Sequence, residues 1–387
     1  MDFELSAEQR MFRDSMRDFV AREITPVAQE WEREGRYPAE IIETMKRLGL
    51  FGLTVPAEYG GMDADMVSFA IVFEEISRGW MGISGILGSH SLACWLIARY
   101  GTDDQKQRYL PGLATGDLRS GIALTEPGAG TDLQSITTRA VGDGDSYVIT
   151  GTKTWITNAR HASPLPVLVK TKPGAEPPHA GMSLILVEQP APGFTVSRDL
   201  PKLGYKGTES CEVVLDGVRV PRANLLGGTE GRGLQQALAG LESGRINVAA
   251  RSVGLAQAAY DAALAYARQR EAFGQPIASF QAIQIKLAEM ATSIQAARLL
   301  VYWAAAAFDR GERADMQAGM AKLFASETAA AVTLDAMRIH GGYGYSQEFT
   351  VERLYRDAPL LVIGEGTSDV MRMVIARALI SGRSVIG

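Results

Sequence analysis

Apolar residues recur at helical spacing in the first third of the chain, break into short β-branched runs in the middle, and return to helical spacing towards the end. Ser6-Ala7-Glu8-Gln9 has the form of a capping box, in which serine and glutamine side chains satisfy backbone N–H groups at a helix start. Phe12, Met16, Phe19 and Val20 follow it at helical intervals, and Met66, Phe69, Phe73 and Ile76 repeat the pattern. Ile83 to Tyr100 is apolar and rich in small residues, which predicts a buried helix. Residues 1–120 therefore read as an N-terminal helical domain.

Between 121 and 230 prolines and glycines cluster around brief apolar runs: Tyr147-Val148-Ile149, Trp155-Ile156-Thr157, Val167-Leu168-Val169, Leu184 to Val187, and Val213-Val214-Leu215. Runs of this length between turn signals predict strands, and the absence of helical pattern between them predicts an antiparallel sheet closed as a sandwich or barrel. Gly227 to Gly233 reads as a flexible boundary. From 231 to 387 the chain is alanine-rich, with Ile283, Leu287, Met290 and Ile294 at the helical interval, which predicts a helical bundle. The fold class is mostly α with a central β-domain.

Composition narrows the function classes. A chain of 387 residues is expected to hold two or three domains. A net charge of −5 offers no basic field for nucleic acid and little attraction to an anionic membrane. Cys94 and Cys211 form no CxxC motif and suit a reducing compartment, and the four histidines lie too far apart for metal-ligand spacing. No 18-residue apolar run is evident, and the N-terminus opens into polar helix sequence without a signal or transit peptide, so the expected location is cytoplasmic.

The candidate chemistry begins at Gly364-Glu365-Gly366-Thr367, where a carboxylate ends the apolar run Leu360 to Ile363. Apolar surroundings raise a carboxyl pKa towards that of a working base, and flanking glycines let a small molecule approach. A helix is predicted from about Thr367-Ser368. Four upstream motifs are chemically suggestive. Leu124-Thr125-Glu126-Pro127-Gly128-Ala129-Gly130-Thr131 offers backbone N–H groups and hydroxyls, and Lys153-Thr154-Trp155-Ile156-Thr157-Asn158 offers a flat ring beside a hydroxyl donor. Arg268 to Gln275 brings an arginine fork suited to a pyrophosphate. His340-Gly341-Gly342-Tyr343-Gly344-Tyr345 could admit a phosphate to the backbone. The chain contains no GxGxxG, so a Rossmann site is unsupported.

In order and spacing, these motifs closely resemble the acyl-CoA dehydrogenase family of flavoproteins, from residue 1 to about 381. The resemblance implies an N-terminal helical domain, a middle antiparallel β-domain and a C-terminal four-helix bundle, assembled as a homotetramer. It implies FAD, lined by Ile122, Leu124, Thr125, Gly130, Thr131, Trp155, Ile156 and Thr157, with Thr157 bonded to the ring and Trp155 shielding its edge. Arg270, Phe273, Gln281, Gly341 and Gly342 match positions that clasp the FAD of a neighbouring subunit, and Thr367 and Asp369 match positions beside the adenosine. Arg338 stands near the FAD phosphates where many members have glutamine.

Glu365 matches the catalytic base, which takes the α-proton of an acyl-CoA while the β-hydride passes to flavin N5, giving a trans-2-enoyl-CoA. Electrons then pass to electron-transfer flavoprotein. Glu242 and Arg245 match positions contacting CoA, and Thr131, Gly364 and Gly366 match positions near the substrate. The base position that some members use on a bundle helix is Gly244 here. Many straight-chain members have tyrosine where this chain has Gly364. The missing ring implies a pocket for a short branched or bulky acyl group, unless Trp95 or Leu96 refills the space. An oxidase of the same fold, or a non-catalytic thioester-binding flavoprotein, is the alternative; Glu365 argues against a monooxygenase.

Overall fold

The computed structural model describes residues 4–311 and 313–384, so 1–3 and 385–387, at the outer ends of the first and third expected domains, lie outside the described residues. The chain opens with α1 (Ala7–Phe19), α2 (Thr25–Glu34), α3 (Ala39–Arg47), α4 (Met66–Tyr100) and α5 (Asp103–Thr115). The capping box forms as expected: Gln9 N donates to Ser6 Oγ at 3.1 Å, and Ser6 N donates to Gln9 Oε1 at 3.0 Å. Met16, Phe19 and Val20 join Met66, Phe69, Phe73 and Ile76 in one core.

α4 corrects the expectation that no apolar run is long enough for a membrane. It is long and apolar enough to cross one, but 83% of its most apolar window is buried inside the protein. The reason is packing on several sides, with α1 against one part and α6 (Gly233–Gln269) against another; a surrounded helix has no use for a polar face. α4 leaves helical geometry at Trp80 (φ −156°, ψ 105°), whose indole N–H donates to Glu32 Oε2 at 2.7 Å.

The middle of the chain contributes β1 (Arg139–Asp143), β2 (Ser146–Thr157), β3 (Leu165–Lys170), β4 (Met182–Val187), β5 (Phe194–Val196) and β6 (Ser210–Pro221). They form one sheet in the order β4-β3-β1-β2-β6-β5. This order is open at β4 and β5, not closed as a barrel or split into two sheets. It is also not wholly antiparallel, because β1 and β3 pair in parallel at Arg139 and Lys170. The cause is topological. β3 reverses direction relative to β2 but lies on the far side of β1, and two reversals restore the direction of β1. The two runs expected as separate strands, 147–149 and 155–157, both belong to β2, whose register against β6 shifts twice. The boundary at 227–233, expected to be flexible, is tied to β4. Gly231 N donates to Ser183 Oγ at 3.0 Å, and a Cβ at Gly233 would fall 2.3 Å from the Ser183 carbonyl carbon.

After α6 come the hairpin β7 (Glu271–Ala272) and β8 (Gln275–Pro276), then α7 (Gln281–Asp309), α8 (Asp315–His340), α9 (Thr350–Ile363) and α10 (Ser368–Ile380). α6, α7, α8 and the α9–α10 pair make the C-terminal bundle. Alanines on α6 (Ala249, Ala256, Ala263) and α8 (Ala318, Ala325, Ala336) are buried in the shared core, so these two backbones pack closely.

Candidate active site

α9 stops at Ile363 and α10 starts after Thr367, whose Oγ1 accepts from Val370 N at 3.2 Å. The intervening Gly364-Glu365-Gly366 makes a sharp corner in which Glu365 adopts φ 54°. Such a left-handed conformation is costly for a residue with a side chain and persists only where surroundings impose it. Lys322 of α8 supplies that constraint. It is fully buried, and its Nζ donates to Val362 O at 3.1 Å and Gly366 O at 2.7 Å, spanning the corner.

The Glu365 carboxylate turns inward to α6. Its Oε2 is buried without a hydrogen-bond partner, and a Cβ at Gly244 would lie 1.9 Å from it. Glycine at 244 is therefore what admits the carboxylate. Burial raises the Glu365 pKa above the ordinary carboxylate value, while the Arg251, Lys322 and Arg245 charges oppose the rise. The same burial pulls the Lys322 ammonium down to about 8. Beside Gly244 runs a narrow cleft of about 10 Å³, lined by Ser91, Trp95, Ser243, Asn247 and their neighbours. A Cβ at Gly364 would meet Leu360 O at 3.2 Å, a tight contact, and Leu360 Cδ1 at 4.0 Å. Of the two candidates to refill that space, Trp95 lines the cleft, whereas Leu96 is buried in a separate core with Cys94 and Ile97. Arg245 is buried on α6, and Glu242 lies half-buried one turn earlier, its carboxyl raised by burial and by Asp315 against Arg245.

The turn at 122–131 and the end of β2 come together. Thr154 N donates to Thr125 O at 2.9 Å. Beneath them Lys153 Nζ donates to Leu124 O at 3.0 Å and Glu126 Oε1 at 2.9 Å, while Glu126 also accepts from Thr137 N at 2.6 Å and Thr138 N at 2.9 Å. Against the cost of burial, the threonine donors and the Lys153 charge hold Glu126 down to about 2. Leu124 and Ile156 point into cores, whereas Gly130, Thr131 and Trp155 are exposed. Trp155 sits at a bulge with φ 62° and 58% of its surface open, so its ring is displayed rather than packed.

A third cluster is a surface groove of about 510 Å³ between α6 and the end of α8, lined by Arg270, His340, Gly341, Gly342 and Tyr343 among others. Its lining does not include Phe273, Gln281, Arg338, Thr367 or Asp369. Phe273 projects from the β7–β8 hairpin with 96% of its surface exposed. Gln281 is exposed at the start of α7, Arg338 pairs with Asp335 at 3.2 Å, and Asp369 pairs with Arg372 at 2.9 Å.

Three family models cover the chain: the acyl-CoA dehydrogenase N-terminal domain over residues 6–117, the middle domain over 121–218 and the C-terminal domain over 231–380. The chain belongs to the acyl-CoA dehydrogenase family. It is 44% identical to a probable acyl-CoA dehydrogenase, YngJ, of Bacillus subtilis over 98% of this chain and 100% of that one. It is 41% identical to the mitochondrial short-chain specific acyl-CoA dehydrogenase of Bos taurus, covering 97% of this chain and 91% of that one. Among solved structures, butyryl-CoA dehydrogenase of Megasphaera elsdenii matches with TM-score 0.95 and 37% identity, covering 98% of this chain and 100% of that one.

Enzymes of the acyl-CoA dehydrogenase family are FAD-dependent. The residues present fit that cofactor: a Cβ added at Gly128, Gly130, Gly341 or Gly342 would meet nothing within 4 Å, so both glycine turns face open space beside exposed donors and rings.

Several residues that shape the site were not singled out from sequence. Lys322, Asn247 and Arg251 sit among alanines and valines of α8 and α6, and all three are buried. The available signal was a lone polar side chain in an otherwise apolar helical stretch, which carries a burial cost unless it has work to do. The partnership of Glu126 with Lys153 has no local signal, since 27 residues separate the two.

Proposed function

We infer that this oxidoreductase converts a short acyl-CoA into the trans-2-enoyl-CoA with Glu365 as the base. The observation that carries the reading is the buried, unpartnered Oε2 of Glu365 facing a cleft past Gly244. A carboxylate with a spare lone pair and a raised pKa is suited to take an α-proton, and its fixed corner holds it for that transfer. The Glu365 backbone N–H would polarise the thioester oxygen as negative charge develops. Arg245 and Glu242 would meet the CoA portion, with Thr131, Gly364 and Gly366 near the acyl group.

FAD, when bound, supplies the acceptor for the β-hydride. Ile122 to Thr131 and Trp155 to Thr157 would line its ring, with Thr157 donating to it. Arg270, Gly341, Gly342, Phe273, Gln281 and Arg338 would hold the remainder across a subunit boundary, together with Thr367 and Asp369. The exposed Phe273 ring supports a homotetramer in which that hairpin meets another copy. Two buried free cysteines, Cys94 and Cys211, suit a cytoplasmic enzyme. Electron-transfer flavoprotein is the proposed acceptor.

The lack of a side chain at Gly364, next to Glu365, supports a branched or bulky group near the reacting carbons. The test is kcat/KM with an artificial electron acceptor for isobutyryl- and 2-methylbutyryl-CoA against butyryl- to octanoyl-CoA, in wild type and Gly364→Tyr. Branched thioesters should be preferred by roughly 10-fold or more, with the preference lost in the tyrosine variant. A wild type that prefers linear chains rejects the pocket assignment.

A further inference from the structure

We propose that the far end of the acyl cleft is a carboxylate site, in which Arg251 and Asn247 bind the terminal carboxylate of a short acyl chain. The inference rests on Glu365 marking the reacting end. α6 runs on from there, with Gly244 against the Glu365 carboxylate, Asn247 lining the cleft and Arg251 one turn beyond that lining. Asn247 and Arg251 come three and seven residues later, a rise of roughly 4.5 and 10.5 Å along the axis. They are four residues apart and so share a face, and a long side chain at 251 leans back towards the preceding turn.

Both are buried, at 2% and 6% exposure, and several of their polar atoms have no hydrogen-bond partner. Neither Nδ2 nor Oδ1 of Asn247 is hydrogen-bonded, and neither is Nε or Nη2 of Arg251. Ser91, which lines the cleft from α4, also has a buried Oγ without a partner. A hydrocarbon tail would leave all these groups unsatisfied, which is costly for an amide and more so for a guanidinium. A carboxylate satisfies the donors among them together, accepting from the arginine fork, the asparagine amide and the serine hydroxyl.

The surrounding packing preserves this arrangement. A Cβ at Gly88 of α4 would come 2.8 Å from Asn247 Nδ2, and one at Gly85 would overlap the Tyr205 hydroxyl. The Arg251 guanidinium lies 5.3 Å from the Tyr205 ring centroid, which gives it a flat wall. The span from Gly244 to Asn247 and Arg251 suits acyl chains of roughly four to six carbons.

The test compares kcat/KM of the FAD-loaded enzyme for succinyl- and glutaryl-CoA with that for butyryl- and hexanoyl-CoA, using an artificial electron acceptor. The carboxylated thioesters should be favoured by about 10²-fold or more. Arg251→Met and the near-isosteric Asn247→Leu should each erase that preference, read within each variant as the ratio of kcat/KM for carboxylated to neutral thioesters. Flavin content and melting temperature identify a variant that fails to fold. A wild type that prefers neutral chains, or a ratio unchanged in both variants, overturns the carboxylate site and leaves the dehydrogenase reading intact. If no thioester turns over, the catalytic reading fails separately. Equilibrium dialysis then decides the site: tighter binding of glutaryl- than hexanoyl-CoA, lost in Arg251→Met, upholds it, and equal binding overturns it.

Discussion

A carboxylate oxygen that finds no donor inside a buried cleft is held ready to accept a proton, and the side chains around Glu365 maintain that condition. Gly244 keeps the space in front of it clear, Lys322 fixes the corner behind it, and burial lifts its pKa. Gly244→Ala is expected to place a methyl on the carboxylate and displace it. A misplacement of about 1 Å costs on the order of 10² in kcat, so a folded, flavin-loaded variant with near-normal kcat would show that the carboxylate does not act from this position. The pH profile has a definite sign. Glu365 must be ionised to act, so kcat/KM should fall in acid and rise through an apparent pKa above the ordinary 4.5 of a glutamate. An acid limb at or below that value would contradict a buried base.

At the scale of elements, the flavin-side turn depends on one buried pair. Glu126 binds Lys153 of β2 and the backbone at Thr137 and Thr138, joining three segments. Its carboxyl is depressed, so its stabilisation is present above the ordinary value of 4.5 and is lost as pH falls towards about 2. Glu126→Gln should lower stability at neutral pH by about 3–5 kcal/mol, read as a shifted urea midpoint, and flatten the acid dependence in that window. An unchanged midpoint would remove the pair from its supporting role. Elements of this kind show how far sequence reading reaches. The capping box at Ser6, the helical apolar spacing and the helix start at Thr367 were legible, because each is a local pattern. β1 and β5 are too short to stand out, and Gly151 divides β2 into what reads as two runs. Glu365 was singled out from its glycines and the motifs around it, and the structure buries its Oε2 without a partner. Lys322, Asn247 and Arg251 were not singled out, because only the packing of α6, α8 and the Glu365 corner gives them a shared target.

At the scale of the molecule, α4 and α6 share one core, which ties the cleft to the helical frame. The groove at Arg270 is open by contrast, and Phe273, three residues on, is exposed; in the proposed homotetramer another subunit would close the groove. Arg270→Ala should therefore weaken FAD retention and tetramer stability together, by about 1.5–3 kcal/mol for a lost charged hydrogen bond. A variant that stays flavinated and tetrameric on dilution would separate the two. The most direct measurement on Glu365 is made without oxygen, by mixing the FAD-loaded protein with a panel of short acyl-CoA thioesters and following the oxidised flavin band. Wild type should bleach with at least one thioester, and Glu365→Gln, with equal flavin content, should bleach roughly 10²–10⁴-fold more slowly. A wild type that stays yellow with every thioester, or a glutamine variant that bleaches at the wild-type rate, would contradict Glu365 as the base.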